Sequence, residues 1–111
     1  MLQERRNVPR IRTYLPVRIQ TPGNSSAIET LTRDISYRGL RCLAPAPIPT
    51  HTAVKVDITL SIRRTVVTLQ GQTQWLRELP HSDQFEVGIA FVSETPEEYR
   101  TALTTYFSDK A

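Results

Sequence analysis

Between residues 11 and 91 apolar side chains recur mostly at every second position, the spacing that lets a β-strand bury one face. Tyr14-Leu15-Pro16-Val17-Arg18-Ile19-Gln20 alternates after Leu15 and predicts a first strand, closed by the turn formers Pro22-Gly23-Asn24. Ala27 to Ile35 predicts a second, although Ile28, Leu31 and Ile35 are spaced too unevenly to define its register. Gly39 opens a short third strand, Leu40 to Leu43, with Leu40 and Cys42 on one face. Pro45, Pro47 and Pro49 then remove three donors from any ladder, so residues 44–49 are a loop.

Beyond that loop Val54, Val56, Ile58, Leu60 and Ile62 alternate without a fault, the clearest strand in the chain. Arg63-Arg64 makes a tight connection into a run from Val66 to Leu76, inside which Gly71 is expected to mark a bulge or bend. Phe85, Val87, Ile89 and Phe91 share one side of a last strand. The period then changes. Thr95-Pro96-Glu97-Glu98 supplies an N-cap, a proline at the first helical position and a capping glutamate. Tyr99, Ala102, Leu103, Tyr106 and Phe107 follow at helical spacing. The prediction is a mainly β protein: a small six-stranded antiparallel β-barrel with a C-terminal α-helix over about 96–108. The polar first ten residues, which include Pro9, read as an irregular arm (1–10) ahead of a single domain over 11–111.

Composition changes this picture in one respect. With 111 residues, 39% hydrophobic and 23% charged, the chain is an ordinary globular domain. Its net charge of +3 is modest but uneven. Arg5, Arg6, Arg10, Arg12 and Arg18 face only Glu4 in the first twenty residues, whereas Glu94, Glu97 and Glu98 cluster late. The lone Cys42 excludes an internal disulfide and reads as a small buried hydrophobe, which suits a reducing cytoplasm. No apolar run approaches a membrane span or a secretion signal, so a soluble cytoplasmic protein without membrane insertion is expected.

Two segments carry chemistry: Arg5-Arg6-Asn7-Val8-Pro9-Arg10 and Asp34-Ile35-Ser36-Tyr37-Arg38-Gly39. Arginine bonds bidentately to phosphate oxygens or to the O6/N7 edge of guanine, and its plane stacks on a base. A carboxylate accepts the two N–H donors of guanine's opposite edge. Together these groups suit a guanine nucleotide with phosphates. Taken separately, Asp34, Ser36 and Gly39 make an ordinary turn and the arginines a solvated tail; their co-occurrence favours a ligand site.

The order Arg-x-x-x-Arg (Arg6, Arg10) then Asp-x-Ser-x-x-Gly (Asp34, Ser36, Gly39) resembles the PilZ domain family, six-stranded bacterial barrels that bind cyclic di-GMP. Trp75 and Val87-Gly88-Ile89-Ala90-Phe91 extend the resemblance over nearly the whole chain. It implies that Arg6 and Arg10 grip the phosphates and guanine, that Asp34 takes guanine's donor edge, and that Ser36 bonds near a phosphate or base. Gly39 would let the backbone turn tightly and approach the ligand. In this family an arginine just before the first motif arginine accompanies an intercalated ligand dimer, so Arg5 implies two cyclic di-GMP molecules per chain. The family places an aromatic near the ligand where Trp75 stands; a strand tryptophan is otherwise usually core, and both readings are open.

Tyr37 and Arg38 are expected in solvent, as are His51 and His81, which have no third ligand spaced for a metal. No P-loop, nucleophile elbow, zinc-ligand pattern or paired carboxylates occur, so neither an enzyme nor a cofactor is expected. The function expected is a cyclic di-GMP receptor or adaptor. Repulsion among Arg5, Arg6, Arg10 and Arg12 would hold the arm off the barrel until the ligand bridges it to Asp34–Gly39, creating a surface for an unknown downstream protein. Two alternatives stand beside it: a nucleotide-independent interaction module of the same fold serving motility or pilus machinery, and a basic barrel binding single-stranded nucleic acid. The second lacks the exposed aromatics it would need, and nucleic acid is not expected as a partner.

Overall fold

The computed structural model describes residues 10–23 and 26–110. Its strands are β1 (Arg10–Arg12), β2 (Pro16–Gln20), β3 (Ile28–Ser36), β4 (Gly39–Ala44), β5 (Ala53–Thr59), β6 (Val66–Glu78) and β7 (Phe85–Phe91), followed by helix α1 (Glu97–Lys110). Neighbouring strands run β3-β2-β5-β6-β7-β4, all antiparallel, and β4 pairs back onto β3 to close a six-stranded barrel. Closure leaves no long open edge, which is how small all-β domains avoid edge-to-edge association.

The seventh strand is an extension of the second. β1 and β2 pair in succession with β3, Arg12 opposite Asp34 and Pro16 opposite Leu31, and the chain breaks between them at residues 13–15. Fully buried Thr32 repairs the break: its Oγ1 accepts from the Leu15 N–H at 2.9 Å and donates to the Thr13 carbonyl at 2.6 Å. Arg10 thus opens a strand one residue before the boundary expected at Ile11, and Pro16 begins β2, where its missing donor is least needed. The rest of the expected arm, residues 1–9, lies outside the described residues.

The uninterrupted alternation of Val54 to Ile62 does not become one strand. β5 ends at Thr59, and residues 62–64 form a single 3-10 turn with Arg63 and Arg64 at φ 58° and 52°. Such left-handed values suit a tight hairpin but are unusual for arginine.

The bulge in β6 also lies elsewhere than expected. Gly71 pairs regularly with Phe91 and Val54, and its missing side chain admits Ile89, whose Cγ2 would stand 2.6 Å from a Cβ there. The register shift falls between Thr73 and Trp75. Val67, Leu69, Gly71 and Thr73 face inward before it, whereas Leu76 packs on the core after it. One extra residue reverses which side chains face the core. Thr73, fully buried, accepts from the Thr52 N–H at 2.9 Å and donates to the Pro49 carbonyl at 2.6 Å, anchoring the proline loop.

The core holds Ile11, Val17, Ile19, Ile35, Leu40, Cys42, Val56, Ile58, Leu69, Val87 and Ile89 inside the barrel, capped by Tyr99, Ala102 and Leu103 of α1. Tyr106 and Phe107 pack at the edge of that cap, completing the predicted apolar helix face. Tyr37 departs from expectation. It is half-buried, its ring 5.7 Å from that of Phe107 and its hydroxyl 3.0 Å from that of Thr104, because the helix covers the β3–β4 turn. Arg38, His51 and His81 are exposed as expected.

Candidate functional site

Antiparallel pairing decides which charges meet. β1 runs beside one edge of β3 and β4 beside the other, so Asp34 lies opposite Arg12 on one side and Arg41 on the other. Asp34 alternates with core residue Ile35 and therefore sits on the outer face, yet its side chain is only 6% exposed because two arginines cover it. Arg10 donates from Nε and Nη2 to Oδ1 at 3.1 and 2.9 Å. Arg41 donates from Nε to Oδ2 at 2.6 Å and from Nη2 to the same oxygen.

The row of alternating charge continues across the sheet. Arg41 reaches Glu86 on β7 (Nη1–Oε2, 3.8 Å), and Glu86, 3% exposed, accepts from Arg77 Nη2 on β6 at 2.6 Å. Three guanidiniums against two carboxylates leave the row one positive charge in excess. The hydrogen bond to Asp34 pushes the Arg41 guanidinium still higher than its ordinary range, against a smaller lowering by desolvation.

Beside this row lies a shallow groove of about 200 Å3 lined by Arg10, Arg38, Gly39, Arg41, Trp75 and Gly88, among others. A larger depression of about 560 Å3 along β2 and β3 mixes Arg18 with Glu29 and Asp57 and gathers no cluster of arginines, so an anion has less reason to settle there. Trp75, 39% exposed, is outside the barrel, its indole lying against the bare Cα of Gly88. Its flat face beside guanidiniums offers a stacking platform for a base.

Ser36 and Gly39 have structural duties. The fully buried Ser36 Oγ accepts the N–H groups of Arg38 and Gly39 at 3.1 and 3.2 Å, and its carbonyl accepts the Tyr99 hydroxyl at 2.7 Å. Gly39 is needed because a Cβ would stand 2.2 Å from the Ile89 carbonyl oxygen; the close approach that demands glycine is to β7. Burial raises the Tyr99 phenol above its ordinary range, opposed by the charge of Arg10. The structure thus brings Arg10, Gly39 and Trp75 to one groove, with Asp34 buried behind the arginines that line it and Ser36 beneath the turn, whereas Arg5 and Arg6 lie outside the described residues. Repulsion does not hold Arg10 off the barrel: the Asp34 carboxylate attracts it. Arg41, Glu86 and Arg77 were not legible as site residues, since only the pairing of β3, β4, β7 and β6 aligns them.

Among the described residues no cluster of His, Cys, Asp and Glu could hold a metal, and no helix is long and apolar enough to cross a membrane.

A closed six-stranded barrel with a capping helix and an arginine-lined groove beside its β3–β4 turn defines a small all-β domain. The chain belongs to the PilZ domain family, whose model matches residues 4–109. Solved structures agree in fold. The PilZ domain with c-di-GMP of YcgR from Escherichia coli superposes with a TM-score of 0.72 at 16% identity, covering 94% of this chain and 90% of that one. The Bacillus subtilis inhibitor of motility (MotI/DgrA) gives 0.78 at 15% identity over 94% of this chain, which spans 50% of that protein's length. Borreliella burgdorferi PlzA in complex with c-di-GMP gives 0.64 at 21% identity, covering 96% of this chain and 43% of that one. No protein of curated function matches the chain by sequence.

Proposed function

We propose that this chain is a cyclic di-GMP receptor, bound through Arg5, Arg6, Arg10, Asp34, Ser36, Gly39 and Trp75, whose ligand-bound surface is recognised by a downstream protein in the cytoplasm. The observation that carries this reading is the meeting of the two sequence motifs at Asp34, with an exposed tryptophan at the same groove. Structural relatives solved with c-di-GMP, YcgR and PlzA, support it. The groove holds about 200 Å3, and we assign Arg5 and Arg6 a share in gripping the ligand on the family pattern, in which an arginine at the place of Arg5 accompanies two ligand molecules.

Each charge-assisted bond contributes about 1.5–3 kcal/mol, so micromolar or tighter affinity needs several of the arginines to act together. Calorimetry is expected to show two cyclic di-GMP per chain, unaffected by excess GTP or oligonucleotide. Arg6→Ala or Arg10→Ala should abolish binding, a loss of about 100-fold or more. A single bound ligand removes the dimer; full affinity in either variant removes the site. The fold shared with MotI keeps a second reading in view, an interaction module indifferent to nucleotide, against which the two intact arginine positions argue.

A further inference from the structure

Resting on the cyclic di-GMP reading, we propose that Arg41, which lines the groove, is a further arginine of the nucleotide site: a positioning residue that holds the Asp34 carboxylate in place while Arg10 changes partner.

An ionised carboxylate offers about four lone-pair sites. Asp34 has all of them occupied, two by Arg10 on Oδ1 and two by Arg41 on Oδ2. Guanine's N1–H and N2–H therefore find no open acceptor until one arginine withdraws.

The two arginines are held very differently. Arg10 lies on β1, whose described residues pair along Asp34–Ser36, and its side chain is 44% exposed against 33% for Arg41. Arg41 lies inside β4, hydrogen-bonded between β3 and β7, and its guanidinium also faces Glu86. Glu86 is in turn fixed by Arg77. Among the described residues, withdrawing Arg41 breaks contacts to two carboxylates on two strands, and withdrawing Arg10 breaks contacts to one. Arg10 is the member that exchanges. Guanine takes Oδ1, the freed Arg10 turns to a phosphate, and Arg41 keeps the buried carboxylate paired throughout. An Asp34 left bare during the exchange would be strongly unfavourable. Arg41 thereby sets discrimination, because only a fixed, ionised Asp34 rewards both donors of guanine's edge.

The test is calorimetry of wild type, Arg41→Ala, Arg41→Lys and Asp34→Asn, singly and combined, with cyclic di-GMP and with its inosine analogue, which lacks the 2-amino group. Thermal melts run in parallel show whether each variant is folded. Wild type should prefer the guanine ligand by at least tenfold. Arg41→Ala should lose about 100-fold in affinity and bring that preference close to unity. Arg41→Lys, which keeps the charge but not the two-donor fork, should fall between and serves if the alanine variant does not fold. In the Asp34→Asn background, removing Arg41 should cost little more. Failure of wild type to bind cyclic di-GMP overturns the functional reading. If wild type binds, and an Arg41 variant keeps the preference for guanine, whether or not affinity falls, the positioning role is overturned.

Discussion

Gly39 and Gly88 are glycines for the sake of their neighbours. Neither has positive φ; each leaves room for an atom that a Cβ would strike, the Ile89 carbonyl oxygen at 2.2 Å and the Trp75 indole at 2.3 Å respectively. The two obstacles differ in how far they can yield. A carbonyl in the β7 ladder cannot move without parting β4 from β7, so Gly39→Ala should lower the unfolding free energy by about 3 kcal/mol in a urea melt. The indole is an exposed side chain and can swing outward, so Gly88→Ala should cost about 1 kcal/mol. Because Trp75 is the only tryptophan, its fluorescence should shift to the red in Gly88→Ala and stay put in Gly39→Ala. A red shift in neither would mean that the indole does not rest on Gly88. Under the proposed function, cyclic di-GMP binding should also weaken in Gly88→Ala.

At the scale of elements, α1 and the β3–β4 turn behave as one unit. Tyr99 inserts its ring into the core edge-on to Phe91, with centroids 5.5 Å apart, and spends its hydroxyl on the Ser36 carbonyl. Tyr37 grips the helix from the turn's other side through Phe107 and Thr104. Tyr99→Phe keeps the ring but leaves the Ser36 carbonyl without this donor in a dry setting, at a cost of about 1–3 kcal/mol. Hydrogen exchange should localise the effect: amides of residues 38–40 should exchange faster in Tyr99→Phe, while those of β5 remain protected. Uniform acceleration would show that the turn is held by something else. The motif's serine, which the family resemblance expects to bond near a phosphate or base, also shapes the turn and carries its tie to the helix.

At the scale of the whole molecule, the barrel buries groups that resist ionisation. Burial pushes the Cys42 thiol up to about 12 from an ordinary 9.0, with the Glu86 charge adding to it, and Tyr99 moves the same way. Between pH 9.0 and about 12 the native state therefore holds a proton that the unfolded chain has released. Stability is undiminished by Cys42 below that window and falls as pH rises through it. Urea melts at pH 8 and pH 10.5 should show a drop of about 1–2 kcal/mol at the higher value, and Cys42→Ala should reduce the drop although it lowers stability itself. A pH-independent midpoint would place the thiol in contact with solvent.

Much of this architecture was legible because alternation and helical spacing are local properties. The strands around Val17, Cys42, Val56, Leu69 and Ile89, the capped C-terminal helix and the two spaced motifs need no knowledge of distant residues. The structure's departures arise where strands meet. The one-residue slip after Thr73 puts Trp75 outside, where unbroken alternation would have turned it inward, and nothing in the neighbouring residues announces it. Asp34 finds Arg10 24 residues away and Arg41 only seven away through registers set by the whole closed barrel. The sequence by itself determined that this chain forms a small barrel with a C-terminal helix and carries two spaced motifs, one at its start and one at a strand turn, since period and residue type suffice for that. Tertiary structure alone decided which charges neutralise one another, because pairing register is a property of closure and not of any single strand.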